Sequence, residues 1–142
     1  MISVEPGLVE RTLDELRSCG ATKQECVVYW LAAQSSPTHA VHLVHPLHVS
    51  TAWGYEIDSG WLTRFMISLA EDYRTAIAQV HTHPGASTEH SATDNRFALI
   101  PSPGYVSVVV PWFAAGDETA AWRVHVLQRD GSWIVDRSAI SW

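Results

Sequence analysis

Ala78-Gln79-Val80-His81-Thr82-His83-Pro84-Gly85, followed at a short distance by His90-Ser91-Ala92-Thr93-Asp94, joins the end of an extended segment to the start of a helix. In an extended backbone residues two apart point to the same side, so the imidazoles of His81 and His83 can both reach one ion at about 2.0 to 2.1 Å. Asp94 stands eleven residues after His83, across a loop containing Gly85 that can fold back and deliver a carboxylate. Three protein ligands leave the fourth tetrahedral position to water, which is the arrangement of a catalytic rather than a structural zinc. The same Ser91 and Asp94 also stand at the spacing of a capping box, a serine N-cap with an acid three residues on, and an isolated His-x-His pair is common by chance.

Outward from this stretch the pattern alternates between strands and helices. Ile2 to Val4 reads as a short strand, and Val9, Leu13 and Leu16 recur at helical spacing in a helix from Pro6 to about Cys19, with Gly20 beyond its end. Glu25 to Ala32, dense in Val, Tyr and Trp, reads as a buried strand, and about Ala40 to His45 as another. Ser59 is the expected N-cap of a second helix reaching about Tyr73. Ala76 to His81 reads as a strand ending at a loop, and Ser91 begins a third helix that Pro101 to Gly104 end. Val106 to Val110, Trp122 to Gln128 and Trp133 to Asp136 complete the strands, the last two flanking a hairpin turn at Asp130-Gly131. The pattern is α+β with a mixed sheet and no internal repeat.

Bulk properties narrow the possibilities. A chain of 142 residues, 46% hydrophobic and 17% charged, fits one globular domain over residues 1–142. Its net charge of -6, with no cluster of Lys and Arg, repels nucleic acid. The N-terminus lacks the basic start and apolar run of a signal peptide, and no apolar stretch is long enough to span a bilayer. Cys19 and Cys26 are too few and too close for a secreted disulfide framework, which points to a reducing cytoplasm. Seven tryptophans exceed what a core of this size needs and hint at a protein partner.

The run His-x-His-Pro, six residues, Ser-x-x-Asp closely resembles the JAMM motif of the JAB/MPN metalloprotease family, whose members include deubiquitinases. The resemblance extends from the first helix through Val106 to Val110 and implies a JAB/MPN (cytidine-deaminase-like) domain, a mixed curved sheet flanked by helices. It implies that His81, His83 and Asp94 bind one Zn²⁺ per chain and that Ser91 donates its hydroxyl to the developing oxyanion. Glu25, ahead of Cys26-Val27-Val28-Tyr29-Trp30, occupies the place of the family's general acid/base, although an acid entering an apolar strand is by default a solvated strand end. Val28 and Ala32 stand where many members carry glycines, so the backbone near the site departs from the common pattern.

Within the family the chain looks most like compact bacterial members encoded beside ubiquitin-like proteins and E1-like and E2-like enzymes, including Bil-type antiphage systems. The expected reaction is zinc-dependent cleavage after the C-terminal tail of a ubiquitin-like protein, by deconjugation or precursor processing, in the cytoplasm and without nucleic acid or membrane. Release of cysteine from a small sulfur-carrier protein is one alternative; a catalytically silent MPN-type interaction module is another. The segment from about Val49 to Asp58 is expected to help form the groove for the tail, with Trp53 and Tyr55 as substrate-binding aromatics. His39, His42, His45 and His48, spaced every third residue, define no single strand face and are read as ordinary strand and loop residues without a second metal. His90 is read as a loop histidine facing solvent.

Overall fold

In the computed structural model, which describes residues 1–50 and 54–142, the chain begins with β1 (Ile2–Val4), α1 (Leu8–Gly20), β2 (Val27–Ala33), β3 (His39–Ala40) and β4 (His42–Val44). It continues through β5 (His48–Ser50), β6 (Tyr55–Ile57), α2 (Ser59–Glu71), β7 (Arg74–Thr82) and α3 (Ala92–Arg96). β8 (Val106–Val110), β9 (Arg123–Leu127), β10 (Trp133–Val135) and β11 (Ile140–Ser141) complete it. Among the described residues the main sheet has the order β10-β9-β8-β7-β2-β4, and only β7 and β8 are parallel.

Six of the seven residues of β2 are buried, and their side chains divide by alternation between two apolar clusters. Val28 and Trp30 pack with Leu8, Leu13 and Leu16 of α1, while Val27, Tyr29 and Leu31 pack with Phe65 and Leu69 of α2. The helices therefore cover opposite faces of the central pair β2–β7. Trp30 is fully buried, and its indole N–H donates to Thr12 Oγ1 at 2.8 Å, so its polar end is satisfied. Gly20, the last residue of α1, is a packing requirement: a Cβ there would lie 2.6 Å from the carbonyl oxygen of Phe113.

Local chemistry explains most departures from the expected elements. Asp58, not Ser59, caps α2, because its carboxylate accepts from the Trp61 amide at 2.7 Å. The expected strand from Ala40 to His45 is broken into β3 and β4, the first pairing with β1 and the second with β2. α3 stops at Arg96 and the chain then follows the sheet in an irregular segment. Both residues of β11 pair in parallel with β1, a long-range contact with no local signal. Trp30 and Trp122 lie in the core and Trp142 packs edge-on against both, so the tryptophan excess is partly structural; Trp112 remains 57% exposed. Among the described residues no helix is long and apolar enough to cross a membrane.

Candidate metal centre

β7 carries His81 and delivers His83 just beyond its end. His81 is fully buried, and among the described residues neither ring nitrogen has a hydrogen-bond partner; its Nε2 lies 3.4 Å from Asp94 Oδ1. Leaving a buried polar group unpaired costs roughly 1–3 kcal/mol, which a cation coordinated by Nε2 would remove. His83 Nδ1 lies 3.0 Å from the carbonyl oxygen of Ser87. A carbonyl only accepts, so Nδ1 carries the hydrogen and the Nε2 lone pair faces Asp94 Oδ2 at 3.1 Å. Two electron-rich atoms at that distance require a proton or a cation between them. The three donor atoms lie within 4.8 Å of one another, and the residues fit a divalent cation.

Asp94 is placed by the helix it begins. Its Oδ2 accepts from the Ser91 amide at 2.8 Å while Ser91 Oγ accepts from the Asp94 amide at 3.0 Å, so the capping box is formed. Burial raises the Asp94 carboxyl, but the imidazoles of His81 and His83 and the Ser91 amide outweigh it and hold the group well below the usual carboxylate range. The capping role and the ligand role are thus compatible. Capping uses only a lone pair of the Ser91 oxygen and leaves the exposed hydroxyl its hydrogen to donate.

Glu25 precedes β2 instead of lying within it, and it is 7% exposed. The antiparallel register pairs Val27 with His81, and the next step outward is sealed by Thr82 N–H to Cys26 O at 3.0 Å and Cys26 N–H to Thr82 Oγ1 at 2.9 Å. Continued by one residue, that register sets Glu25 opposite His83. Burial pushes its carboxyl up to about 7, with Asp94 adding to the rise and His83 opposing it. A carboxyl in that range can both accept and return a proton near neutral pH.

Contacts from β9 and from the turn after β8, which the sequence pattern did not reveal, hold the loop between His83 and Asp94. His125 is buried on β9, and its Nε2 donates to the Thr88 carbonyl at 3.0 Å; Arg123 on the same strand pairs with Glu89. Trp112, Phe113 and Ala114 adopt left-handed backbone conformations, each costing roughly 1–2 kcal/mol for a side chain other than glycine. That turn donates Phe113 N–H to His83 O at 2.9 Å and Trp112 N–H to Gly85 O at 3.1 Å, fixing the chain on either side of Pro84. Gln79 Oε1 accepts from the Leu99 amide at 3.2 Å and its Nε2 reaches the Phe97 carbonyl, also at 3.2 Å, which ties the segment after α3 to β7.

Two expectations are corrected here. His90 does not face solvent: its ring stacks on His125 at 3.8 Å, and its Nε2 pairs with Ser107 Oγ at 2.9 Å. Burial, then His125 and His81, push its pKa down to about 3, so it is a neutral wall of the site. His45 and His48 are not ordinary strand and loop residues either; they meet Cys19 and Cys26, whose sulfurs lie in disulfide contact. Spacing conceals this because the four residues come from the end of α1, the entry to β2, the turn after β4 and the start of β5. His39 instead pairs with Ser3 and Glu5, and His42 is exposed.

Tyr55, on β6, places its ring 6.0 Å from that of His81, and the ring of His90 lies 6.1 Å from the same imidazole, so two further rings stand beside the candidate site. Trp53 lies outside the described residues.

Comparison with known proteins agrees with this geometry. The sequence family described as prokaryotic homologs of the JAB domain matches residues 13–126. A Sinorhizobium fredii protein named probable metalloprotease y4jG is 33% identical in a match 104 residues long that covers 70% of this chain and 64% of that protein. The match thus spans just under two-thirds of the relative's length. The solution structure of a Desulfitobacterium hafniense protein superimposes with a TM-score of 0.68 at 15% identity, covering 99% of this chain and 92% of the other. A JAB1/MPN domain protein from Archaeoglobus fulgidus gives 0.54 at 15% identity, covering 94% and 93%. A structure described as JAMM, a metalloprotease-like zinc site in the proteasome and signalosome, gives 0.51 at 17%, covering 94% and 93%. These solved structures share the fold.

Proposed function

Because the chain belongs to the family of prokaryotic JAB-domain homologs, we propose that it is a zinc metallopeptidase that cleaves after the C-terminal tail of a ubiquitin-like protein. The observation that carries this reading is His81, buried with both nitrogens unpaired among the described residues, converging with His83 Nε2 and Asp94 beside a buried carboxyl of raised pKa. The relative named as a probable metalloprotease supports the activity, and the JAMM zinc-site structure supports the choice of metal.

When bound, zinc supplies a Lewis acid that polarises a carbonyl and makes water more acidic. Glu25, opposite His83, takes the proton of the attacking water and hands it to the leaving amine. The Ser91 hydroxyl donates its free hydrogen to the carbonyl oxygen as negative charge develops there. His83 is held in one tautomer by Ser87, and the loop between the ligands is held by His125 and the turn at 112–114, so ligand positions change little during the reaction.

Ser91→Ala is expected to lower kcat by about 10²–10³-fold, the loss seen when one oxyanion donor is removed. The substitution also removes an N-cap worth about 1 kcal/mol. Ser91→Thr keeps both cap and donor and is expected to restore most of the turnover, whereas Ser91→Gly, which costs the cap only a few tenths of a kcal/mol but removes the donor, is expected to lose turnover as Ser91→Ala does; turnover that instead followed thermal stability across the three variants would reduce Ser91 to a cap.

We infer a narrow approach beside Tyr55 and His90, whose rings lie 6.0 and 6.1 Å from that of His81, suited to a tail without side chains. Fusions of ubiquitin-like proteins ending in Gly-Gly, joined to a lysine or to a peptide extension, are expected to be cleaved, and a zinc chelator should abolish the reaction. Leucine in place of the terminal glycine should abolish it as well. Equal cleavage of glycine and leucine tails would refute the narrow channel, and cleavage unaffected by the chelator would refute metal-dependent hydrolysis.

A further inference from the structure

On the α1 side of β2 a second group of ligand-type side chains converges. Cys26 is fully buried, and Cys19, His45 and His48 are half-buried around it. His45 Nε2 lies 3.3 Å from Cys26 Sγ and 3.7 Å from Cys19 Sγ, and His48 Nε2 lies 3.8 Å from Cys19 Sγ. For bond lengths of about 2.3 Å to sulfur and 2.0–2.1 Å to nitrogen, the sulfur–nitrogen edge of a tetrahedron around zinc is roughly 3.5 Å. The observed separations bracket that edge.

We propose that Cys19, Cys26, His45 and His48 form a second, structural zinc site. The far sides of both imidazoles carry this inference. His48 Nδ1 lies 2.8 Å from the Pro46 carbonyl, so it must carry the hydrogen and its Nε2 presents a lone pair to the sulfurs. His45 Nδ1 lies 2.9 Å from the Glu15 carboxylate, the outer-shell arrangement that orients a metal-bound histidine. A disulfide between Cys19 and Cys26 has no hydrogen to offer those lone pairs, whereas a cation accepts both. The 5.6 Å between the two Cα atoms suits neighbouring legs of a metal site as well as it suits a disulfide. With zinc, each thiol releases its proton to solvent, and two thiolates and two imidazoles fill all four positions, leaving none for water.

Such a site has a structural consequence for the first one. It joins the C-terminal end of α1 to residue 26, whose neighbour Glu25 faces the other side of the strand, and to the turn that leads into β5 and β6. His48 also touches Tyr55 at 6.2 Å, and Tyr55 reaches His81. The second site thus anchors the backbone of the proposed proton carrier and, through His48, the aromatic ring beside His81.

Wild-type protein prepared under a thiol-free reductant and loaded with Co²⁺ is expected to hold two ions per chain and to show sulfur-to-cobalt charge-transfer absorption in the near ultraviolet. The His81, His83, Asp94 centre has no sulfur and cannot produce that band. His81→Ala should keep the band and lose one ion, so the second site is judged independently of the peptidase reading. Cys19→Ser and His48→Ala should each weaken the band, and Glu15→Gln should weaken cobalt affinity by about 10–100-fold. Should a variant fail to fold, the wild-type spectrum and stoichiometry decide. One ion per chain and no charge-transfer band in the reduced wild type would overturn the proposal, as would an intact-mass deficit of two hydrogens that persists in the reductant and marks a disulfide.

Discussion

His81→Ala is expected to lose one metal ion per chain and at least about 10³-fold in turnover, because a Lewis acid contributes several kcal/mol of transition-state stabilisation and each factor of ten corresponds to about 1.4 kcal/mol. His81 is the most buried of the three ligands and the one whose nitrogens have no other partner. The variant's stability separates loss of metal from loss of fold. In metal-free protein the imidazole contributes two unpaired polar atoms, so its removal should cost less than the truncation of an apolar side chain of that size, for which about 2–5 kcal/mol is usual. With zinc present the wild type gains stability by mass action and the variant gains less. Thermal melts of both proteins with and without zinc, together with elemental analysis, check this. A His81→Ala protein that keeps its full metal content and wild-type turnover would remove the residue from the centre.

Glu25→Gln should behave in the opposite way, keeping the metal while losing about 10²–10⁴-fold in turnover, the range for a general acid/base. Glutamine matches the shape of the protonated carboxyl and can neither take nor return a proton. The metal-free protein offers a pH test of the buried carboxyl. Folded Glu25 holds its proton to about 7, whereas the unfolded chain releases it near 4.5, so the wild type loses stability as pH rises through that window. Glutamine does not titrate, and the variant should become the more stable of the two by neutral pH. Unchanged turnover in Glu25→Gln would move the proton-transfer role to another residue.

The convergence of His81, His83 and Asp94 is legible in the sequence because most of it is local. The His-x-His pair depends only on strand alternation, Ser91 and Asp94 on the spacing of a helix start, and the clustering of β-branched residues marked β2 and β8. Glu25 was reached by resemblance, and its physical justification, a register that sets it opposite His83, came only with strand pairing. The cap of α2 was misplaced by one residue because Asp58 and Ser59 are both good caps, and backbone geometry chose between them.

What only the tertiary structure decided has a common cause: it depends on which distant segments the sheet order brings together. His90 was placed against His125 because β8 and β9 follow β7 in the sheet, a neighbour that no window around Ser91 contains. Cys19, Cys26, His45 and His48 have no motif spacing, since a helix end, a strand entry and a turn converge only after α1 packs on one face of β2. The sequence by itself determined the residue types and the short-range geometry of the first site, through the fixed periods of strand and helix. The burial of His81, the raised pKa of Glu25 and the second cluster arose from long-range packing, because desolvation and convergence are properties of the whole fold.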